Sequence, residues 1–248
     1  MAFIQTDTYT LHSYECDATG RLSVPALMNL MQESANRNAD AYGIGSNTLH
    51  AQGLGWMLMR FGLTMHTYPH NGQTIRVVTY PTFVDKFFVY RDFRVLADDD
   101  TLLASACSTW LVFDTAKRSL IPVPGFIRSL SPPEVTGISA RLPLKPAYQT
   151  LSFEQAPADQ VTVGWFDIDA NQHVNNVVYI RWLLEQLPDT LLQTQEMAEL
   201  DVVYKTETHW HEQIDVQHQA SGSGTLVHRL THAETGKEVL LAKTVWRF

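Results

Sequence analysis

Apolar positions along the chain follow two spacings, one helical and one alternating, and the order of the two occurs twice. Leu27, Leu30 and Met31 fall at i, i+3 and i+4 downstream of Ser23. That spacing predicts an amphipathic helix starting near Ser23, with Pro25 tolerated in its first turn, and ending by Gly43. A second helix is expected to start at Asn175 or Asn176 and to be stopped by Pro188. Each helix is followed by segments rich in Val, Thr, Phe, Tyr and Trp, which read as strands. In the first half these cover 56–66, 73–80, 86–97 and 102–113; in the second, 200–208, 213–219, 225–233 and 238–247.

The recurrence is an internal repeat. Residues 13–33 (SYECDATGRLSVPALMNLMQE) and 165–185 (WFDIDANQHVNNVVYIRWLLE) align at an offset of 152, which sets Asp17 on Asp169, Thr19 on Asn171, Arg21 on His173, Ser23 on Asn175 and Glu33 on Glu185. The tails align at an offset of 136, pairing Ala106 and Trp110 with Ala242 and Trp246. One helix followed by antiparallel strands, occurring twice, implies an α+β fold in which a curved sheet wraps each helix. Six of the eleven prolines lie between Pro122 and Pro146, a density that disfavours regular elements and reads as a linker. The expected organisation is therefore an N-terminal domain over 1–125, a linker over 126–150 and a C-terminal domain over 151–248. The linker is too apolar (Ile121, Val123, Phe126, Ile127, Leu130) to be freely solvated, and is expected to lie against the surface.

Composition narrows the function classes. A net charge of −8 disfavours a general nucleic-acid binder, which concentrates Lys and Arg against phosphates. No apolar run approaches the roughly 20 residues that span a bilayer, and the N-terminus lacks the basic start and apolar core of a signal peptide. A soluble cytoplasmic protein is the expectation. Cys16 and Cys107 have no metal-ligand spacing and fit a reducing compartment.

The second copy carries Asp169, Asn171 and His173 where the first has Asp17, Thr19 and Arg21. If this stretch is extended, alternate side chains point one way and the three face one cavity. An amide and an imidazole there can donate to a developing oxyanion while a carboxylate fixes their orientation. Capping and turn formation explain the same residues more plainly. Asn175 and Asn176 are assigned to capping, and Asp167 to a turn. His209 and His211 flank Trp210 on an expected strand, and a surface pair there is favoured over a metal site. Met28, Met31, Met57, Met59 and Met65 suit a core, or an acyl-chain tunnel. The glycines form no phosphate-binding fingerprint.

The string DIDANQHVNNVVYIRWLLE resembles the signature of acyl-acyl carrier protein (ACP) thioesterases, double hot-dog enzymes of plants and bacteria. YECDATGRLSVPALMNLMQESANRNADAYGIG and WLVFDTAKRSLIPVP are similar to that family's N-terminal half, in the right order. The resemblance implies a tandem hot-dog fold of the bacterial type, with acyl binding largely in the first unit and catalysis in the second. It carries the family's Asp, Asn and His onto Asp169, Asn171 and His173, and its later acidic residue onto Glu207 within VYKTET. Some relatives have a Cys after that Glu; Thr208 stands here, which disfavours a cysteine acyl-enzyme. The implied activity is hydrolysis of an acyl thioester on acyl carrier protein by direct water attack, with no cofactor and no metal. Hydrolysis of acyl-coenzyme A and non-catalytic binding of acyl thioesters are the alternatives. Since the duplication supplies the contact that single hot dogs obtain by dimerising, a monomer or a homodimer is expected.

Overall fold

The structure, a computed structural model, describes residues 3–130, 145–150, 153 and 158–248, and the chain divides into two units, Met1–Leu142 and Pro143–Phe248. The first opens with β1 (Gln5–Thr10), a 3-10 turn (Ser13–Glu15), α1 (Val24–Ala41) and α2 (Ser46–His50). Strands β2 (Leu54–Met65), β3 (Thr74–Val84), β4 (Val89–Ala97), β5 (Leu102–Asp114) and β6 (Ser119–Ile121) follow, then α3 (Gly125–Arg128).

Helix α1 starts where its cap chemistry directs. The Ser23 side chain accepts from the Ala26 amide at 3.3 Å, and Pro25 sits in the first turn, where a missing N–H costs nothing. Its buried face, including Leu27, Met28, Met31 and Ala35, packs on β1 and β3; burying each of the large side chains contributes about 1.5–3 kcal/mol. One buried cation also ties the helix to the sheet. Arg91 on β4 donates to Asn38 Oδ1 of α1 at 2.8 Å and to Thr79 Oγ1 of β3 at 3.1 Å, and burial pulls its pKa down to about 10. The strands pair antiparallel in the order β1-β3-β4-β5-β2, with β6 added to the end of β5.

In the second unit β7 (Ala158–Thr162) leads through a 3-10 turn (Trp165–Asp167) to α4 (Asn176–Glu185) and α5 (Asp189–Thr194). Strands β8 (Glu196–Tyr204), β9 (Gln213–Ala220), β10 (Thr225–His232) and β11 (Glu238–Arg247) follow, and the sheet order is β8-β11-β10-β9-β7. Read from β7, this is the order of the first sheet, with β7, β9, β10, β11 and β8 in the places of β1, β3, β4, β5 and β2. The repeat reaches side-chain detail: Trp110 Nε1 donates to Ser108 Oγ, and Trp246 Nε1 to Thr244 Oγ1, each at 2.8 Å.

Both helices begin as the sequence predicts, and most strands fall within a few residues of expectation. Strands β1, β6 and β7 and helices α2 and α5 were not predicted, being short or polar. The strand expected over 200–208 runs Glu196–Tyr204 instead, because its ladder with β11 ends at Tyr204 opposite Leu240. Much of the predicted linker, residues 131–144, lies outside the described residues. Its flanks correct the expectation of irregular chain: α3 forms directly after Pro124, a position that demands no amide, and Ala147–Thr150 makes a 3-10 turn. Val123 and Ile127 are wholly buried, in one cluster with Ile44 and Leu49. Among the described residues no helix is long and apolar enough to cross a membrane.

Candidate active site

The residues between Asp169 and His173 form a tight turn, not the extended stretch that would point alternate side chains one way. The Asp169 amide donates to the His173 carbonyl at 2.9 Å, the Gln172 amide to the Asp169 carbonyl at 3.0 Å, and Ile168 bridges Val174 below them. Asp169 builds the turn from its side chain: Oδ1 accepts from the Asn171 amide at 2.8 Å and Oδ2 from Asn171 Nδ2 at 3.3 Å. The first copy has the same scaffold. The Asp17 amide donates to the Arg21 carbonyl at 2.8 Å, Asp17 Oδ1 accepts from the Thr19 amide at 2.8 Å, and Cys16 bridges Leu22. The aspartate shared by the copies is thus first a turn-former. Gln172 takes a φ of 67°, where its counterpart Gly20 takes 81°. Asn175 caps α4, accepting from the Val177 amide at 2.9 Å, as assigned.

Glu207 reaches this turn from outside the strand on which the sequence places it. After β8 the amides of Lys205 and Thr206 both turn to the Val239 carbonyl, at 2.9 and 3.3 Å, and the chain leaves the ladder. Thr208 is then captured from two sides. Its carbonyl accepts from the Val174 amide at 3.0 Å, while the Tyr179 phenol lies 2.8 Å from its Oγ1 and 3.1 Å from its amide. With Thr208 fixed, Glu207 Oε2 lies 3.3 Å from His173 Nε2. The two side chains are 40% and 29% exposed, so water reaches both. The structure therefore joins His173 to Glu207, and Asn171 to Asp169.

His209 and His211 lie in a turn, which corrects the expected strand: His211 takes a φ of 70° and its ring stacks on Trp210 at 4.0 Å. The His209 ring lies 5.0 Å from that of His173, and its Nδ1 is 3.3 Å from the Gln172 carbonyl oxygen. Glu212 closes the turn, accepting from the His209 amide at 2.9 Å. Asp167 is more than a turn residue. Its side chain is buried, caps the Gly164 amide at 2.8 Å and pairs with Arg181 of α4 at 2.5 Å, while its carbonyl accepts from Asn175. That pair locks the start of α4 to the turn. No local pattern announces it, since Arg181 is fourteen positions away.

Thr208, in the position where some relatives carry Cys, is fully buried and bonded to Tyr179. Both cysteines lie in the first unit. Among the described residues no group of three His, Cys, Asp or Glu side chains is arranged to hold a metal.

The first unit contains a small apolar cleft, partly open to solvent. Met28, Met31 and Ala35 of α1 form one wall, and Leu58, Phe93 and Trp110 of the sheet form the other. Met28 and Met31 line this cleft from the core, and Met65 is buried apart from it.

The family model for the acyl-ACP thioesterase N-terminal domain matches residues 4–130, and that for the C-terminal domain matches residues 151–248. A chloroplastic palmitoyl-acyl carrier protein thioesterase of Cuphea hookeriana is 28% identical over 262 residues, covering 96% of this chain and 61% of the relative. A chloroplastic dodecanoyl-[acyl-carrier-protein] hydrolase of Cinnamomum camphora is 28% identical, over 97% of this chain and 66% of the relative. The chain thus spans less than two thirds of the length of these curated relatives. Among solved structures, the 12:0-ACP thioesterase from Umbellularia californica aligns with a TM-score of 0.84 at 24% identity, covering 98% of this chain and 97% of the other. An acyl-ACP thioesterase from Bacteroides thetaiotaomicron aligns at 0.84 with 22% identity, over 98% of each chain. These likenesses bear out the tandem hot-dog fold. With both of its halves matched by the family's two domain models, the chain belongs to the acyl-ACP thioesterase family.

Proposed function

We propose that the chain hydrolyses acyl thioesters carried on acyl carrier protein, releasing free fatty acid and ending chain elongation. The observation that carries this reading is the solvent-open pair of His173 and Glu207 at 3.3 Å, within the residues that the family's C-terminal domain model matches. Glu207 takes a proton from water, or orients it, as the water oxygen attacks the thioester carbonyl carbon. The carbon–sulfur bond breaks and the proton passes to the departing thiolate. His173 and Asn171 position the water and the carbonyl oxygen, and Asp169 holds Asn171 in place through its two hydrogen bonds. We assign the acyl chain to the cleft of the first unit, whose thioether, aliphatic and aromatic walls suit a flexible hydrocarbon.

Thiol release from acyl carriers tests the assignment. Glu207→Gln and His173→Ala are expected to lower kcat by about 10²–10⁴-fold, the usual contribution of a positioned acid or base. Near-normal turnover in both folded variants rejects it. Comparing acyl carrier protein with acyl-coenzyme A as substrate identifies the carrier.

A further inference from the structure

Beside the His173–Glu207 pair lies an aromatic surface that hydrolysis itself does not use. Trp165, Phe166 and Trp210 are 60%, 97% and 46% exposed, although such side chains are among the most favourable to bury. Two of them are in contact, and Phe166 adjoins Trp165 in the same 3-10 turn. Trp165 meets Trp210 edge-on with centroids 5.0 Å apart, and the His211 ring stacks on Trp210 at 4.0 Å. Trp210 follows His209, whose ring is 5.0 Å from that of His173, so the surface begins at the reacting pair. The backbone on either side of Trp210 is fixed: the His211 amide donates to the Val163 carbonyl at 3.1 Å and the His209 amide to Glu212 at 2.9 Å.

The surrounding fixed charges are already engaged. Asp167 is paired with Arg181, Glu207 lies against His173, and Glu212 holds the His209 amide and lies 3.4 Å from His232. A surface of flat rings bordered by the carboxylates of Glu207 and Glu212 favours an uncharged ligand carrying amides and methyl groups over a phosphate or an acidic helix. On the reading that this is a carrier thioester hydrolase, we infer that Trp165, Phe166 and Trp210 form the subsite for the pantetheine arm, which joins the scissile sulfur to its carrier. The arm's amides lie on the ring faces and its geminal methyls against Phe166, so the thioester is delivered to His173 and Glu207 from this side.

The test uses one acyl group on three thiols: acyl carrier protein, pantetheine and N-acetylcysteamine, which lacks most of the arm. Trp210→Ala, with Phe166→Ser as a second variant at a nearly fully exposed site, is expected to raise KM about fivefold for the first two substrates. The ratio of kcat/KM for acyl-pantetheine over the truncated thioester falls by the same factor. Pantetheine alone is expected to quench tryptophan fluorescence saturably in the wild type and not in Trp210→Ala. Equal losses on all three substrates indicate a structural role and overturn the inference, as does no loss at all. A loss confined to acyl carrier protein shows that the surface docks the protein and not its arm. If the wild type binds pantetheine but releases no thiol from any substrate, the hydrolase reading falls while the subsite stands.

Discussion

The Tyr179 phenol lies 2.8 Å from Thr208 Oγ1 and accepts the Thr208 amide at 3.1 Å, so one buried side chain of α4 sets the residue next to Glu207. Burial pushes this phenol up to about 12, with the Thr208 bonds pulling the other way, which keeps it neutral at any working pH. Tyr179→Phe removes both bonds and strands a buried amide. The expected destabilisation is about 1–3 kcal/mol in urea unfolding. In thiol release kcat should fall more than KM changes, since Glu207 loses its placement and no substrate contact is removed. Full kcat in a destabilised variant would reduce the contact to a structural one.

Ala35 is 7% exposed and lines the apolar cleft on the α1 side. Ala35→Phe fills that space with a benzyl group. For long acyl chains kcat/KM should drop about tenfold or more, the scale at which pockets discriminate single methylenes. Short chains should be affected less. An unchanged chain-length profile would mean that the acyl chain binds elsewhere.

His228 is buried on β10, its Nε2 2.8 Å from Thr244 Oγ1, and its pKa is lowered from 6.5 to about 3, first by burial and then by His218 across the ladder. Below 6.5 the unfolded chain takes up a proton that the folded chain refuses until about 3. The stability is therefore complete above 6.5 and is lost as pH falls through that window, by up to about 1.4 kcal/mol per pH unit. His228→Gln keeps a hydrogen-bonding group for Thr244 and removes the titration. The gap between urea midpoints at about pH 7.5 and about pH 5 should narrow in the variant; an equal gap would assign the acid sensitivity to other groups.

Gly224 holds a φ of +64°, and a Cβ there would come within 2.6 Å of the Trp246 carbonyl oxygen. Gly236 has a similar φ of +67° with nothing within 4 Å. Gly236→Ala should cost the left-handed backbone preference alone, about 1 kcal/mol. Gly224→Ala should cost clearly more, because the obstructing atom is backbone. Thermal melts of the two variants compare them directly, and equal shifts would show that the β11 backbone yields.

The helix starts were legible because caps are local: Ser23 and Asn175 each bond an amide two or three residues ahead, and any chain with that spacing can do so. The duplication was legible for the same reason. Asp17 and Asp169 build equivalent turns from neighbours within four positions, and alternation placed most strands. The side-chain directions within the turn were not legible, because an extended stretch and a tight turn of the same residues differ only in whether the Asp169 amide finds the His173 carbonyl.

By itself the sequence determined two helix-and-sheet units and the turn that carries His173, through patterning and capping that each segment satisfies within itself. Tertiary structure alone decided that Glu207 would meet His173. That meeting needs β8 to leave its ladder at Tyr204, Thr208 to be gripped by Tyr179 twenty-nine positions earlier, and Asp167 to hold Arg181 against the turn. Each of those contacts joins groups that no local spacing relates, and they form only when the fold brings the two stretches of backbone to the same place.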